Sequence, residues 1–162
     1  MERNTSEDSP HIEMAILHEF IAKLIQCMWE RNKALPEIVS SEIDNQGHDV
    51  VISCGNITRH IQLKASKHQG SRTDLDIDVG FCKESSGCLV RVFYDPIKLE
   101  MQEFRFFGSE AGSLPPSTDA HPGAKSPLIK KPRKNVRNIS RGRYKRVKSI
   151  DEVAILLFGK NP

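Results

Sequence analysis

Three polar side chains on two predicted neighbouring strands have the types and spacing of a hydrolytic metal site. Asp49 lies at the start of one strand, and twelve residues separate it from Gln62, which Lys64 follows two positions later. Because side chains alternate along a strand, Gln62 and Lys64 lie on one face of the sheet. We expect this face to carry them toward the same end of the sheet as Asp49. The Asp49 carboxylate, the Gln62 amide oxygen and the Leu63 backbone carbonyl can together hold a hard divalent cation, Mg2+ or Mn2+.

This set of residues implies hydrolysis of a phosphodiester. Lys64 would lie beside the attacking water or the scissile phosphate, and the cation would offset charge in the transition state. The same spacing is also typical of an ordinary solvated strand face, on which polar and apolar residues alternate. The spacing alone leaves both interpretations open.

A fourth candidate, Glu13, lies on a helix predicted over residues 9–31. Pro10 at the first helical position marks its start, and a stripe of apolar residues that includes Ile16 and Phe20 predicts its buried face. Glu13 falls in the middle of that stripe, where a carboxylate is costly unless it is paired or bound to a metal. In the first turn it could instead reach solvent and interact favourably with the helix dipole.

The elements that must position these residues are predicted from hydrophobic periodicity and turn residues. They are strands over 37–43, 48–54, 58–66, 88–94 and 101–107, with a hairpin turn at 44–47, a second turn at 55–56 and a short helix within 72–84. We therefore expect an α/β fold with a central mixed sheet flanked by helices.

The end of the chain is predicted to form a short unit of its own. Residues 136–140 and 144–148 are basic and extended, and a helix follows over Ile150–Phe158, with Ser149 as its N-cap and Gly159 at its end. We expect a core domain over 1–108, a linker rich in Pro, Ser and Gly over 109–132, and a basic segment over 133–162 whose helix packs on the core.

The charge is distributed unevenly along the chain. Residues 1–119 hold 12 basic and 19 acidic residues, whereas residues 120–150 hold 11 basic and no acidic residues. Such a segment predicts a polyanionic partner, and its cations could contact a nucleic-acid backbone without reading sequence. The cations expected at this interface are Lys130, Lys131, Arg133, Lys134, Arg137, Arg141, Arg143, Lys145 and Arg146. Deleting residues 125–148 is then expected to weaken nucleic-acid binding more than metal binding. Docking to an acidic protein is an alternative role.

The order of elements and the residues Asp49, Gln62 and Lys64 resemble the PD-(D/E)xK nuclease superfamily, in the branch whose last motif is QxK. The resemblance covers about residues 9–107 and implies a restriction-endonuclease-like core. It also implies that Asp49 and Gln62 bind the metal, that Lys64 assists the nucleophile, and that Glu13 completes the site. Gln62 stands where the family commonly has an acid, so we expect weaker Mg2+ binding. The stretch EIDNQGHDVVI is also similar to small uncharacterised bacterial proteins.

The sequence excludes several other classes. No apolar run reaches the roughly 20 residues of a membrane helix, and the polar start MERNTSEDSP predicts a cytoplasmic protein. Motifs of P-loop NTPases, serine hydrolases and zinc proteases do not occur. We therefore expect a magnesium-dependent endonuclease that acts on DNA, with a homodimer left open. The alternative is a catalytically inactive nucleic-acid-binding or regulatory module on the same fold.

Overall fold

The structure is a computed structural model that describes residues 9–31, 33–40, 50–67, 75–78, 80–117 and 136–160. These ranges contain two α-helices, eight strands and two 3-10 segments. The helices are α1 (Ser9–Glu30) and α2 (Ile150–Phe158), and the 3-10 segments are Phe81–Lys83 and Arg141–Arg143. The strands are β1 (Glu37–Ser40), β2 (Val50–Cys54), β3 (Ile57–Lys67), β4 (Leu75–Asp78), β5 (Gly87–Tyr94), β6 (Met101–Gly108), β7 (Val136–Ile139) and β8 (Lys145–Val147).

Six of these strands form one mixed sheet in the order β1-β2-β3-β5-β6-β8. Strands β3 and β5 are parallel, and every other neighbouring pair in this sheet is antiparallel. The expected α/β fold with a mixed sheet is therefore confirmed. The parallel pair lies at the centre of the sheet, and all eight residues of β5 are buried, which explains its nearly continuous apolar sequence.

Both helices pack on the same face of this sheet, which we call the helical face. It is formed by alternate strand residues such as Ile61, Leu63 and Val90, which share one core cluster with side chains of α1 and α2. Phe20 of α1 and Phe158 of α2 are both nearly fully buried in that cluster. The two helices therefore pack on the apolar side chains that alternate to the helical face. The other side chains of each strand point to the opposite face of the sheet.

The opposite face carries a second, smaller core. Strands β4 and β7 pair as a separate two-stranded sheet, and a cluster of buried residues joins it to the main sheet. The members of this cluster are Ile77, Phe81, Leu89, Phe107, Ile139 and Tyr144. Leu89 and Phe107 lie on the opposite face of β5 and β6, so the small sheet covers part of that face.

The prediction of a short helix within residues 72–84 is wrong. Residues Leu75–Asp78 form β4, which pairs with β7, and among the described residues of this segment only Phe81–Lys83 are helical, as a single 3-10 turn. The helical spacing of Leu75, Val79 and Cys82 suggested the helix. A pairing partner about sixty residues further along the chain overrides that local pattern.

Most other predicted elements are confirmed. The structure has α1, β3, β5 and β6 within one or two residues of their predicted bounds, and α2 has the predicted bounds. The Ser149 side chain accepts a hydrogen bond from the Glu152 backbone, and Gly159 ends the helix with a φ of 83°. The predicted hairpin turn at 44–47, the ends of its two strands at 41–43 and 48–49, and the part of the linker after residue 117 lie outside the described residues.

The basic segment is more deeply folded than its composition suggests. Strand β8 is the edge strand of the main sheet, with Val147 fully buried opposite Phe104, and β7 belongs to the small sheet, with Ile139 fully buried. Deleting residues 125–148 would remove both of these strands and part of both cores, so we expect it to affect the fold as well as binding.

None of the described helices is long and apolar enough to cross a membrane.

Candidate functional site

Two of the predicted site residues, Gln62 and Lys64, lie together on the opposite face. Their neighbours Ile61, Leu63 and Ala65 point into the core beneath α1 and α2, so alternation places Gln62 and Lys64 on the other side of β3. Gln62 is buried and Lys64 is half-buried. The expected juxtaposition of these two residues on one face is present.

The amide oxygen of Gln62 is buried in an unfavourable environment. Only 5% of the residue is exposed, and its Oε1 atom is buried and has no hydrogen-bond partner among the described residues. A buried amide oxygen that accepts no hydrogen bond has lost its water without compensation, which costs about 1–3 kcal/mol. The position therefore provides an available oxygen ligand at a cost to stability.

The first predicted ligand, Asp49, lies outside the described residues. Strand β2 begins at Val50, the next residue in the sequence, and Val50 pairs with Ile61, the residue before Gln62. Leu63, whose backbone carbonyl is the expected third ligand, pairs with Val90 of β5, and its side chain is buried in the core.

Glu13 is not brought together with Gln62 and Lys64. It is exposed on α1, although Ile12 and Ile16 of the same helix pack against the core. Helix α1 packs on the helical face, so the sheet lies between this helix and the pair on β3. Glu13 acts electrostatically on Tyr94. Burial raises the pKa of the Tyr94 hydroxyl, and the negative charge of Glu13 raises it further.

A histidine and a carboxylate form a second polar pair on the opposite face. His60 lies two residues before Gln62 on β3, and its Nε2 atom is 3.5 Å from an oxygen of Glu84. Both side chains are about three-quarters buried. Glu84 follows the 3-10 turn at Phe81–Lys83, and nothing in its sequence surroundings points to His60, so sequence analysis missed this contact.

The largest feature that sequence analysis missed is a row of four cations, which we call the cation row. It crosses four adjacent strands of the sheet, because Lys64 pairs with Arg91, Arg91 pairs with Arg105, and Arg105 pairs with Arg146. Directly paired residues point to the same face of a sheet. The cation row therefore lies on the opposite face, where Arg91 is buried, Lys64 and Arg105 are partly buried and Arg146 is exposed.

The contacts of the cation row hold its guanidinium groups in place. Arg91 donates a hydrogen bond from Nε to the Ser66 hydroxyl at 2.9 Å. The Phe93 ring lies 4.9 Å from the Cζ atom of Arg91 and 5.3 Å from that of Arg105. Such short distances are typical of cation–π contacts. The middle of the row is thus fixed by packing on one aromatic ring.

One carboxylate, Glu103, lies between two members of the row. Arg105 approaches Glu103 at 3.3 Å, and Arg146 makes two contacts with the same carboxylate, at 3.1 and 3.3 Å. The Nε atom of Arg105 is buried and has no hydrogen-bond partner among the described residues. Two guanidinium groups therefore share one carboxylate.

Most cations of the basic segment are not described at the side-chain level. Lys130, Lys131, Arg133 and Lys134 lie outside the described residues. Arg137 lies in β7 and Arg141 in a 3-10 segment. Among the remaining three, Arg143 donates a hydrogen bond to the Ser117 carbonyl and lies 5.5 Å from the Phe107 ring. Arg146 belongs to the cation row. Its neighbour Lys145 pairs with Phe106, on the helical face.

The described residues contain no group of three or more His, Cys, Asp or Glu side chains arranged to hold a metal ion. The Gln62 Oε1 atom nevertheless fits the expected ion, because Mg2+ requires only a few protein oxygens and retains several waters. No protein-family model matches the chain, and no curated protein matches it.

Proposed function

We propose that this protein is a metal-dependent nuclease that hydrolyses phosphodiester bonds in DNA. The observation that carries the proposal is the pair on β3: an amide oxygen that is buried without a hydrogen-bond partner among the described residues, and a lysine on the same face two residues away. A protein retains a costly unsatisfied polar group most readily where a ligand uses it. Together with Asp49, this pair has the residue types that the QxK branch of the superfamily uses.

In this proposal Asp49 and Gln62 hold Mg2+ or Mn2+. When bound, such an ion supplies a Lewis acid for the phosphoryl oxygen and a more acidic bound water. The restriction-endonuclease-like core is part of the same proposal. The pairing of Val50 with Ile61 supports it, because Asp49 precedes Val50 in the sequence and Gln62 follows Ile61.

The role of Lys64 follows from its surroundings. The residue is half-buried, and its ammonium group is carried on the same face as Arg91, with which it is directly paired. A phosphate that approaches Gln62 would meet this ammonium group, which neutralises charge on the phosphate and orients the attacking water. Glu13 has no part in this mechanism, because α1 lies on the other side of the sheet.

The test is cleavage of duplex DNA with and without Mg2+ by the parent chain and by the variants Asp49→Ala and Lys64→Ala. We expect Mg2+-dependent cleavage by the parent and its loss in both variants, with unchanged circular dichroism spectra. Lys23→Ala is the matched control, because Lys23 is exposed on α1, which packs on the face of the sheet opposite to Gln62 and Lys64. Equal cleavage by all four proteins would overturn the proposal.

A second candidate function is nucleic-acid binding without catalysis. It is favoured by the placement of Glu13, which leaves the predicted four-residue site without its helix-borne acid, and by an amide instead of an acid at position 62. This function predicts salt-sensitive DNA binding that Mg2+ does not change, with no cleavage at any metal concentration.

A further inference from the structure

His60 and Glu84 form a polar pair that the proposed function leaves without a role. The Nε2 atom of His60 lies 3.5 Å from a carboxylate oxygen of Glu84, and the two side chains are 24% and 29% exposed. A usual hydrogen bond spans about 2.7–3.2 Å. Two neighbouring ligands of one cation lie about 3.0–3.4 Å apart when each is about 2.1 Å from the ion. The pair therefore has nearly the spacing of two ligands of a single cation.

The strand beside β3 leaves room for this pair. His60 is directly paired with Gly87 of β5, and directly paired residues share one face of a sheet. Gly87 has no side chain, so Glu84, three residues earlier in the chain, can contact His60. A Cβ atom at position 87 would lie 2.9 Å from the Glu84 backbone oxygen. A side chain at this position would therefore displace Glu84.

The turn that carries Glu84 is fixed by backbone hydrogen bonds. The Glu84 carbonyl accepts one from Gly87 at 3.1 Å, and the Ser86 carbonyl accepts one from His60 itself at 3.3 Å. The Ser86 backbone N–H donates to the carbonyl of Ser113 at 2.9 Å, which ties the turn to the loop after β6. The two side chains of the pair are thus held next to each other by the fold.

An independent observation points to a ligand at the same place. Gln62 follows His60 on the same face of β3, about 6.6–6.8 Å further along the strand. Its Oε1 atom is buried without a hydrogen-bond partner among the described residues. The residue paired with it, Leu89, is a buried apolar member of the smaller core. A buried oxygen that lacks a hydrogen donor is suited to a cation, which requires no donor.

We propose that His60 and Glu84 complete the metal site to which Gln62 belongs, so that the site binds a transition-metal dication such as Mn2+ in preference to Mg2+. An imidazole nitrogen favours transition metals, whereas Mg2+ favours oxygen ligands. Glu84 supplies the negative charge that the amide at position 62 lacks. This site rests on the proposed function in one respect: Asp49 and Gln62 are ligands of the same ion.

The composition of the site explains why the spacing of acidic residues did not reveal it. Its described members are one imidazole, one carboxylate and one amide, so the described residues contain no group of three His, Cys, Asp or Glu side chains. The alternative role of the pair is an ordinary ion pair that fastens the turn to β3. An ion pair that is this accessible to solvent contributes little to stability, and it predicts no effect on metal affinity.

The test is isothermal titration calorimetry of the full chain with MnCl2 and, separately, with MgCl2. The parent should bind Mn2+ more tightly than Mg2+. Glu84→Gln keeps the size of the side chain and removes its charge, and it should weaken Mn2+ binding by at least about tenfold. Glu100→Gln is the matched control, because Glu100 is exposed and precedes β6 at the end of the β5–β6 pair remote from Gly87. It should leave both affinities unchanged.

A second variant tests the choice of metal. His60→Asn replaces the nitrogen ligand by an amide oxygen, so the ratio of Mn2+ affinity to Mg2+ affinity should fall. If the pair served only the fold, Glu84→Gln and His60→Asn would lower the melting temperature and leave both metal affinities as in the parent, which would overturn the site. Equal affinities of the parent for Mn2+ and Mg2+ would also overturn it, and this measurement needs no variant to fold.

Failure of this site and failure of the nuclease proposal give different results. Mn2+ binding that depends on Glu84 and His60, in a protein that leaves DNA intact, would support the site and contradict the nuclease. Cleavage that requires Asp49, together with Mn2+ binding by Glu84→Gln as tight as in the parent, would support the nuclease and overturn the site. A parent that binds neither metal would overturn the site as well.

Discussion

Replacing Gln62 by methionine should make the protein more stable and at the same time inactive. The Gln62 Oε1 atom is buried without a hydrogen-bond partner among the described residues, in a residue that is 5% exposed. Methionine has a similar length and no amide, so Gln62→Met removes a desolvation cost of about 1–3 kcal/mol. A chain of this size changes its melting temperature by about 2–4 °C per kcal/mol. We therefore expect a rise of several degrees, with loss of Mg2+-dependent cleavage.

The matched variant is Gln62→Glu, which puts a carboxylate at the same buried position. Without metal it should be less stable than the parent, since a buried charge is more costly than a buried amide. Added Mg2+ should restore its stability, because a ligand that binds only the folded state stabilises that state. Urea denaturation with and without Mg2+ measures the free energy of unfolding of the parent and of both Gln62 variants. A Gln62→Met variant that loses more than about 1 kcal/mol would refute the reasoning, because the amide oxygen would then have a stabilising partner.

Three further predictions concern the fold. Ser149→Ala removes the side chain that accepts the Glu152 backbone hydrogen bond, so thermal denaturation should show a loss of about 1 kcal/mol, whereas Ser149→Asn should be close to neutral. Burial raises the pKa of the Cys88 thiol to about 11 from 9.0, despite the opposing effect of Arg59. The folded protein therefore keeps this proton in the range where the unfolded chain releases it, and the free energy of unfolding should decline between about pH 9 and 11. Denaturation at several pH values should show a smaller decline in Cys88→Ala; an equal decline would contradict the assignment. Deleting residues 136–148 should abolish the cooperative thermal transition, and a variant that melts like the parent would show that β7 and β8 are dispensable.

Local signals in the sequence were sufficient for the elements whose own residues mark their ends or their burial. Helix α2 was predicted with its observed bounds because a capping serine and a terminal glycine enclose an apolar stripe. Strand β5 was predicted because its run of β-branched and aromatic residues is nearly continuous. Strand β4 was missed because its pairing partner, β7, lies far along the chain, so its local spacing was misleading.

The site was only partly predictable for a similar reason. Alternation along one strand placed Gln62 and Lys64 on a shared face without any knowledge of the rest of the fold. The cation row depends on the register between four strands, and the sequence does not specify that register. Arg91 is the single charge within the apolar strand β5, whereas Arg105 shares β6 with Glu103, so Arg91 is the one local sign of the row. A helical wheel places Glu13 within the apolar stripe, but its side chain is exposed although Ile12 and Ile16 both pack against the core.

The most direct test of the nuclease proposal is cleavage of end-labelled duplex DNA by the purified chain under single-turnover conditions, with Mg2+ added to the parent and to Asp49→Ala. The proposal predicts products that require both Mg2+ and Asp49. Cleavage that survives in Asp49→Ala, or DNA that the parent binds and leaves intact at every Mg2+ concentration, would contradict it.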